Sequence, residues 1–329
     1  MFYLGVDGGG SKTAFVITDG KGKIHAYLTK STCHYIQIGF ASFEAILRDG
    51  ITELCQQIGI SVRDLAYSFL GLPGYGEIKD DLAVLEKIIA NILQSERFRC
   101  GNDVEAGWAG SLAVQPGINL VGGTGAIGFG RDQDGNTARA SGWGYFCGDE
   151  GSAYWLGRKV LSLFGKEADG REEKTPLYDI VREKFKLTRD FDLISIIYNT
   201  LEMKRDRIAE LALLLYRAAE EGDPNAVRLY REAAYEHSLT VKALLKKLNF
   251  SPEQEILISY SGGVFKGGSY ILNPLVEYID QSNIRLFKPI LQPVVGAALY
   301  AFMLEQKLVQ DKMIIEVLKE EEKRIGLSS

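Results

Sequence analysis

Three glycine clusters, each directly after a strand-like apolar run, are the residues of this chain best suited to chemistry. They are Gly8-Gly9-Gly10, Gly122-Gly123-Thr124-Gly125, and Gly262-Gly263 with Gly267-Gly268. Glycine lets backbone N–H groups approach an anion closely, and phosphate is the usual anion. Hydroxyl groups accompany the clusters at Ser11, Thr13, Thr124 and Ser261. One cluster alone is typical of a tight turn, but three together favour phosphate binding.

Neither common nucleotide fingerprint is present. The chain has no G-x-x-x-x-G-K-[ST] motif, which argues against a P-loop, and its first cluster lacks the G-x-G-x-x-G spacing. The run that follows, KTAFVITD, alternates like a strand, whereas a Rossmann turn opens a helix. We therefore expect a hairpin whose backbone N–H groups clamp the phosphates.

Two aspartates stand where strands end. Asp7 directly precedes the first glycine cluster, where a carboxylate can hold Mg²⁺ beside bound phosphates; the alternative is an Asp that caps the turn. Asp103 lies in GNDVEAG, where a strand passes into a helix, and α/β sheets bind ligands at such strand ends. Its alternative role is a helix N-cap, which Asn102 or Asp103 can supply.

The segment GWGYFCGDEGSAYW, residues 142–155, is too rich in glycine for a simple core strand. Trp143 offers a ring face for stacking on a ligand, and Asp149 or Glu150 can accept hydrogen bonds from ligand hydroxyls. The alternatives are a core position for Trp143 and a helix cap formed by Asp149 or Ser152. We favour ligand binding.

The remaining reactive side chains form no recognisable site. The histidines His25, His34 and His237 do not pair with a nucleophile in a known motif, which disfavours a triad hydrolase, and His237 is expected to be solvated on a polar helix. The cysteines are scattered, which favours reduced thiols over disulfides or zinc: Cys33, Cys55, Cys100 and Cys147.

The bulk composition excludes several classes of protein. The formal charge is −5, and no basic and aromatic stripe is present, so we expect neither nucleic acid nor membrane as a partner. Met1 is followed directly by a strand-like run rather than a secretory signal, and no apolar run is long enough to span a bilayer. We therefore expect a cytoplasmic protein.

The elements that must position these residues form an internal repeat. Residues 2–30 predict strand, glycine turn, strand, turn and strand, and residues 117–144 repeat that order. A helix is predicted over 42–58, helices with a few breaks over 153–250, and a solvated amphipathic helix from 311 onward. Three-strand units followed by helix–strand alternation indicate the α/β class and two related domains.

Taken together, these motifs resemble the actin/hexokinase superfamily of ATP-binding proteins. Within it they resemble the N-acetylglucosamine kinase group and the related BadF/BadG/BcrA/BcrD ATPases, from GVDGGGSKT to PVVGAALYA. The resemblance implies two ribonuclease-H-like (actin-like ATPase) domains, each a mixed five-stranded sheet flanked by helices, with an ATP cleft between them. It places the first domain at 1–114 with the helix 292–306 packed on it, and the second at 115–291 with a helical insertion at 153–250.

The same resemblance implies a role for each motif. Asp7 lies near Mg²⁺, and Asp103 is the general base of a kinase. The residues implied to bind ATP are Gly8, Gly9, Gly10, Ser11, Lys12, Thr13, Gly123, Thr124, Gly125, Ala219, Gly262, Gly263 and Lys266. Those implied to bind the sugar are Cys33, His34, Asp103, Gly142, Trp143, Gly144 and Asp149.

One position departs from the sugar-kinase pattern. After the third strand that pattern has Ser-Thr-Asn, whereas this chain has Ser31-Thr32-Cys33. A thiol is a weaker hydrogen-bond donor and acceptor than an amide. The departure leaves the sugar open among N-acetylglucosamine, glucosamine and N-acetylmuramic acid.

The resemblance predicts an ATP- and Mg²⁺-dependent kinase that phosphorylates the 6-hydroxyl of an amino sugar. Its partners are then a small sugar and ATP, and homodimers are common in this group, although no interface stripe is visible in the sequence. The alternative is an ATPase that activates a CoA-dehydratase or reductase partner through an iron–sulfur cluster, for which Cys100 and Cys147 are conceivable ligands.

Overall fold

The computed structural model describes residues 1–251, 253–307 and 311–327. In these ranges the chain folds into two compact units. The first unit comprises Met1–Asn119 together with the chain from Lys288 onward, and the second comprises Leu120–Phe287. The predicted domain limits, and the predicted cleft, stay predictions. None of the described helices is both long and apolar enough to cross a membrane.

The first sheet is mixed and has five strands, β1 (Phe2–Gly8), β2 (Lys12–Asp19), β3 (Ile24–Ser31), β4 (Leu65–Leu72) and β5 (Phe98–Asn102). Their order is β3-β2-β1-β4-β5. Strand β1 is central, since it pairs antiparallel with β2 and parallel with β4. The helices of this unit are α1 (Tyr35–Gln57), α2 (Leu82–Leu93), α3 (Asp103–Ser111), α11 (Pro293–Gln306) and α12 (Lys312–Arg324).

The second sheet also has five strands, β6 (Gly117–Gly122), β7 (Ala126–Arg131), β8 (Thr137–Ser141), β9 (Ile256–Ser261) and β10 (Ile284–Phe287). Their order is β10-β9-β6-β7-β8, the same succession as in the first sheet. The repeat predicted from the sequence is therefore confirmed. The helices of the second unit are α4 (Ala153–Ala168), α5 (Pro176–Phe185), α6 (Asp192–Ser195), α7 (Arg205–Ala209), α8 (Ala212–Glu220), α9 (Pro224–Lys247) and α10 (Ser269–Ile279).

Helix α11 completes the core of the first unit through close backbone approaches. A Cβ on Gly5 of β1 would clash with the backbone of Val294 and Ala298, and a Cβ on Gly296 would clash with Gly110 of α3. The Tyr300 ring lies 4.8 Å from Phe69 and 5.6 Å from Trp108. These interactions pack the second half of α3, which contains Trp108 and Gly110, against α11.

Two helix predictions need correction. Helix α1 begins at Tyr35 rather than 42, with an interruption at Gly39, whose φ of 77° suits glycine. Helix α12 is docked rather than solvated, because Ile315, Leu318 and Glu322 are buried. The Glu322 Oε1 atom accepts a hydrogen bond from the Gln292 amide at 2.7 Å, which ties α12 to the start of α11.

Candidate functional site

The first glycine cluster forms the tip of the β1–β2 hairpin. The register pairs Asp7 with Ala14 and Gly8 with Thr13, which leaves a short turn. The Gly9 amide donates to the Lys12 carbonyl at 2.8 Å and closes that turn. Residues 10–12 are exposed, so the Gly10 and Ser11 backbone, the Ser11 hydroxyl and the Lys12 ammonium face solvent. This hairpin offers one cation and several polar donors to an anion.

Gly8 and Gly10 differ in whether a residue with a side chain could replace them. A Cβ on Gly8 would lie 2.6 Å from Pro73 Cδ and 2.7 Å from Cys33 Sγ, whereas a Cβ on Gly10 would have open space around it. Gly8 therefore admits the fully buried Cys33 side chain against the end of β1. Gly10 has no such structural requirement.

Thr13 is placed differently from its neighbours in the predicted phosphate loop. Its side chain is fully buried. Its hydroxyl donates to the Ser31 carbonyl at 3.0 Å and accepts from the Cys33 amide at 2.9 Å. Because the single hydroxyl proton is engaged, Thr13 fastens β2 to the end of β3, and the predicted direct phosphate contact stays a prediction.

Asp7 and Asp103 form an interacting pair of carboxylates in the first unit. Burial raises the pKa of Asp7 to about 7, the negative charge of Asp103 contributes to the rise, and the Lys12 ammonium opposes both effects. A buried carboxylate with a raised pKa beside a second carboxylate is a frequent mark of a functional site. A divalent cation would relieve both causes of the shift.

Asp103 opens helix α3 but is not its cap. Asn102 is the N-cap residue, and its side chain accepts from the Val104 amide at 3.3 Å. The Asp103 Oδ1 atom accepts from the same amide at 3.0 Å. Because Asn102 is the N-cap residue, the helix does not require Asp103 as its cap.

The segment after β3 brings Cys33 close to this acid pair. Burial raises the pKa of the Cys33 thiol to about 11, and the charges of Asp7 and Asp103 add to the shift, so Cys33 is a neutral thiol close to both. Among the described residues the buried His34 Nδ1 atom has no hydrogen-bond partner. Thr32, for which the sequence predicted no role, donates from its hydroxyl to the Gly9 carbonyl at 2.7 Å.

The second glycine cluster joins β6 to β7. The Gly123 amide donates to the Gly125 carbonyl at 2.9 Å, and the Gly123 carbonyl accepts from the Ala153 amide at 2.8 Å. Thr124 at the tip is exposed. The start of α4 therefore supports the turn, and Ser152 is the N-cap of that helix.

Asp149 is buried behind this turn rather than exposed to solvent. Only 3% of its surface is accessible. Its Oδ1 atom accepts from the Ala126 amide at 3.4 Å, and its Oδ2 atom forms an ion pair with Arg205. Burial raises the pKa of the Asp149 carboxyl, while the Arg205 guanidinium opposes that rise.

The glycine-rich segment between β8 and α4 presents aromatic side chains to solvent. Trp143 is 78% exposed and Phe146 is 93% exposed, so the alternative that Trp143 fills the core is wrong. Gly142 has a φ of 72° and Gly144 a φ of 85°, which gives this loop its course. A cavity of about 290 Å³ lies beside it, lined by Tyr145, Phe146, Cys147, Gly148, Glu150, Tyr154, Trp155 and Arg158.

The third glycine cluster lies beside Ala219. The Tyr270 hydroxyl, from the start of α10, donates to the Ala219 carbonyl at 3.1 Å. A Cβ on Gly262 would lie 2.7 Å from the Gly123 amide nitrogen, so the second and third clusters also touch. Lys266 is exposed. The residues from Gly123 to Lys266 that the resemblance implies for ATP binding therefore all lie in the second unit.

Residues 4–301 match the BadF/BadG/BcrA/BcrD ATPase family over nearly the whole chain. The chain belongs to this family. The family resemblance predicted from the sequence is therefore confirmed, and so is the two-sheet α/β fold class.

Named relatives of this family member are amino-sugar kinases. The N-acetylmuramic acid/N-acetylglucosamine kinase of Clostridium acetobutylicum is 30% identical over 279 residues, 85% of this chain and 90% of that protein. The N-acetyl-D-glucosamine kinase of Dictyostelium discoideum is 28% identical over 309 residues, 91% and 97% of the two chains. A solved structure from Chromobacterium violaceum, a candidate N-acetylglucosamine kinase, is 25% identical, covers 92% of this chain and 98% of its own, and has a TM-score of 0.66.

His237 in this BadF/BadG-type chain is buried, so the expectation that it is solvated is wrong. Its Nε2 atom donates to the Gly151 carbonyl at 3.1 Å, and its ring centroid lies 5.0 Å from that of Phe265. A Cβ on Gly122 would lie 3.1 Å from the same Nε2 atom. Burial lowers the pKa of His237 to about 4. The neutral imidazole therefore lies against the second glycine cluster, the loop before α4 and the third glycine cluster.

The two cysteines considered for the alternative function differ in exposure. Cys100 is buried at the centre of β5, and Cys147 is exposed in the loop before α4. Among the described residues, no group of three or more His, Cys, Asp or Glu side chains could hold a metal ion. A magnesium site at Asp7 would therefore depend on nucleotide phosphates and water for its other ligands, as is usual for Mg²⁺.

Proposed function

We propose that this protein is an ATP-dependent amino-sugar kinase that phosphorylates the 6-hydroxyl of N-acetylglucosamine or a close relative. The observation that carries the proposal is the interacting pair Asp7 and Asp103, which stands beside an exposed glycine hairpin in the first unit. The named kinases among the relatives support the same reaction class. We also propose that it acts in the cytoplasm and that it is a homodimer.

Asp103 is the general base in this proposal. The sugar hydroxyl oxygen attacks the γ-phosphorus of ATP, its proton passes to an Asp103 carboxylate oxygen, and the bond to the β–γ bridging oxygen breaks to release ADP. The Val104 amide donates to Oδ1 of Asp103 at 3.0 Å and so helps to orient the carboxylate. A positioned base contributes roughly 10²- to 10⁴-fold to the rate.

Asp7 fits a magnesium ion by its chemistry. A carboxylate is the side chain that Mg²⁺ prefers. The raised pKa of Asp7 means that its ionised form is destabilised, which a bound cation would reverse. Bound Mg²⁺ supplies charge stabilisation to the transferring phosphoryl group. Lys12, whose ammonium opposes the rise in the pKa of Asp7, is the residue of this chain that contributes positive charge at the same hairpin.

The second unit binds the nucleotide and part of the sugar in this proposal. Gly123, Thr124 and Gly125 contact phosphates, and Ala219, Gly262, Gly263 and Lys266 contact the nucleoside. The sugar contacts Gly142, Gly144 and the exposed ring of Trp143. Rings of this kind stack on the apolar faces of ligands.

We expect Cys33 to make the sugar preference of this protein differ from that of kinases with Asn at the same position. Its thiol is neutral, fully buried and close to both carboxylates. A neutral thiol gives only weak hydrogen bonds to a sugar hydroxyl. His34, whose Nδ1 atom is buried without a partner among the described residues, is the neighbouring group able to supply a stronger one.

The test is a coupled ADP-release assay over glucosamine, N-acetylglucosamine, N-acetylmannosamine, N-acetylmuramic acid and glucose. We expect turnover with at least one N-acetylated or free amino sugar and little with glucose. Repeating the series with Cys33→Asn shows whether this position sets the order of the sugars. ADP release that no sugar stimulates would contradict the kinase.

The same purified protein also tests the activator function. That alternative requires iron and a brown colour in protein purified without oxygen. Colourless protein that turns over an amino sugar would exclude it, whereas iron with no sugar-dependent turnover would replace our proposal.

A further inference from the structure

The turn between β6 and β7 is held from behind by two side chains distant in sequence. Asp149 accepts from the Ala126 amide, and Arg205, at the first position of α7, forms an ion pair with the other Asp149 oxygen. A Cβ on Gly125 would lie 2.5 Å from Arg205 Nη2 and 3.0 Å from Asp149 Oδ2. The guanidinium therefore packs directly on the backbone of the turn.

Asp149 needs this partner because of where it is held. The residue has a φ of 59°, in the left-handed region, and is 3% exposed. A buried carboxylate without a counter-charge is strongly unfavourable. Arg205 supplies that charge, so the loss of Arg205 would disturb Asp149 and, through it, the Ala126 amide.

Arg205 also reaches the aromatic loop. Its Cζ atom lies 5.6 Å from the centroid of the Tyr145 ring. Its side chain is 39% exposed, while its buried Nε atom has no hydrogen-bond partner among the described residues. One guanidinium thus touches the glycine turn, the buried carboxylate and the loop before α4.

We propose that Arg205 is a positioning residue that fixes the Gly123–Gly125 turn, through Asp149, in the conformation that binds nucleotide phosphates. This inference rests on the proposed function, in which that turn contacts ATP. In it, each carboxylate oxygen of Asp149 accepts one hydrogen bond that supports the nucleotide turn. A direct sugar contact from Asp149 is the competing role.

The test compares Arg205→Met with Arg207→Met. Arg207 is in the same helix and equally exposed at 38%, but it pairs with Glu202 and the Thr200 carbonyl. We expect Arg205→Met to weaken binding of AMPPNP, measured by calorimetry without sugar, by at least about tenfold, and to leave the KM for the sugar within about twofold. Arg207→Met should bind AMPPNP like the parent protein.

Two further variants show whether the pair acts as a unit. Asp149→Asn should weaken AMPPNP binding by about the same factor, and the double variant should be no weaker than either single variant. Arg205→Lys keeps the charge but not the planar fork, so it should restore part of the affinity. If Arg205→Met does not fold, Arg205→Lys and Asp149→Asn carry the test.

Unchanged AMPPNP affinity in Arg205→Met, or a rise confined to the KM for the sugar, would overturn the inference. The binding assay needs no sugar, so it separates this inference from the proposed function. A parent protein that binds AMPPNP but phosphorylates no amino sugar would refute the kinase while still deciding the role of Arg205. A parent protein that does not bind AMPPNP would refute both.

Discussion

The β1–β2 and β6–β7 turns occupy equivalent places in two sheets of the same strand order, yet they are built differently. The first carries its own charged groups, Asp7 and Lys12, within the hairpin. The second has a hydroxyl, Thr124, at its tip and obtains its charges from Asp149 and Arg205, which lie outside it. The two turns thus have equivalent positions in their sheets, but their charged side chains come from different parts of the chain.

The titratable groups beside the two turns also differ, because their pKa values are shifted in opposite directions. Burial keeps Asp7 near neutrality by raising its pKa to about 7, and it keeps His237 neutral by lowering its pKa to about 4. One unit therefore holds an acid and the other a base, both against the ends of central strands. In the proposed function the first turn takes part in the chemistry and the second binds the nucleotide.

Asp103→Asn should give the largest effect and tests this division of labour. An amide cannot accept the proton, so kcat should fall at least roughly 10²-fold, while AMPPNP affinity stays within about threefold. Steady-state turnover and calorimetry measure the two quantities. Asp80→Asn, at an exposed acid of the same unit, is the control. A comparable loss of nucleotide binding in Asp103→Asn would break the comparison.

His237→Gln should remove a pH dependence that belongs to the second unit. The pKa of about 4 in the folded state lies below the value of about 6.5 for an unfolded chain, so the unfolded chain binds more protons between them. The free energy of unfolding should therefore fall, by up to about 3 kcal/mol, as the pH drops from about 6.5 to 4. Gln keeps a donor for the Gly151 carbonyl but does not titrate.

Hydrogen exchange of peptides from residues 120–287, at a series of pH values, measures this effect within the second unit alone. The parent protein should lose protection as the pH falls, and His237→Gln should lose much less in the same window. Equal losses in the two proteins would mean that His237 does not carry the acid sensitivity.

Asp7→Asn should have a pH-dependent effect of the opposite sign. The folded pKa of about 7 lies above the ordinary value, so the folded protein binds more protons between about pH 4 and 7. Without Mg²⁺, stability is then lost as the pH rises through this window. Asp7→Asn removes that loss and should raise Tm by up to about 8 °C at pH 8, with little change at pH 4.

Thermal unfolding with and without Mg²⁺ completes this test. Added Mg²⁺ with AMPPNP should stabilise the parent protein at pH 8 and stabilise Asp7→Asn much less. A drop in Tm for Asp7→Asn at pH 8 would contradict the charge conflict between Asp7 and Asp103.

The glycine turns and their strands were predictable because their signals are local. Apolar runs that end in glycine define strand and turn with few alternatives, and the recurrence of that order revealed the duplication. Asp7 and Asp103 were found for the same reason, since each lies where a strand ends. The spacing of Gly8 and Gly10 did not distinguish them, because only packing against Cys33 and Pro73 makes the first indispensable.

His237 and Arg205 were missed for different reasons. His237 shares the apolar face of α9 with Ala233, Ala234 and Val241, so the helical spacing already held the signal of its burial. Arg205 had no such signal, because its partners are Asp149 and Gly125, which lie far away in the sequence. Its surroundings in the chain look like those of any exposed charged residue.

The sequence by itself determined the two α/β sheets, the three glycine turns and the acids at the ends of β1 and β5, because strand periodicity and glycine placement act over a few residues. Only the tertiary structure decided which groups sit behind each turn. Burial, counter-charge and close packing depend on side chains that meet from distant segments, and those interactions turned Asp149 inward, buried His237 and brought Arg205 to Gly125.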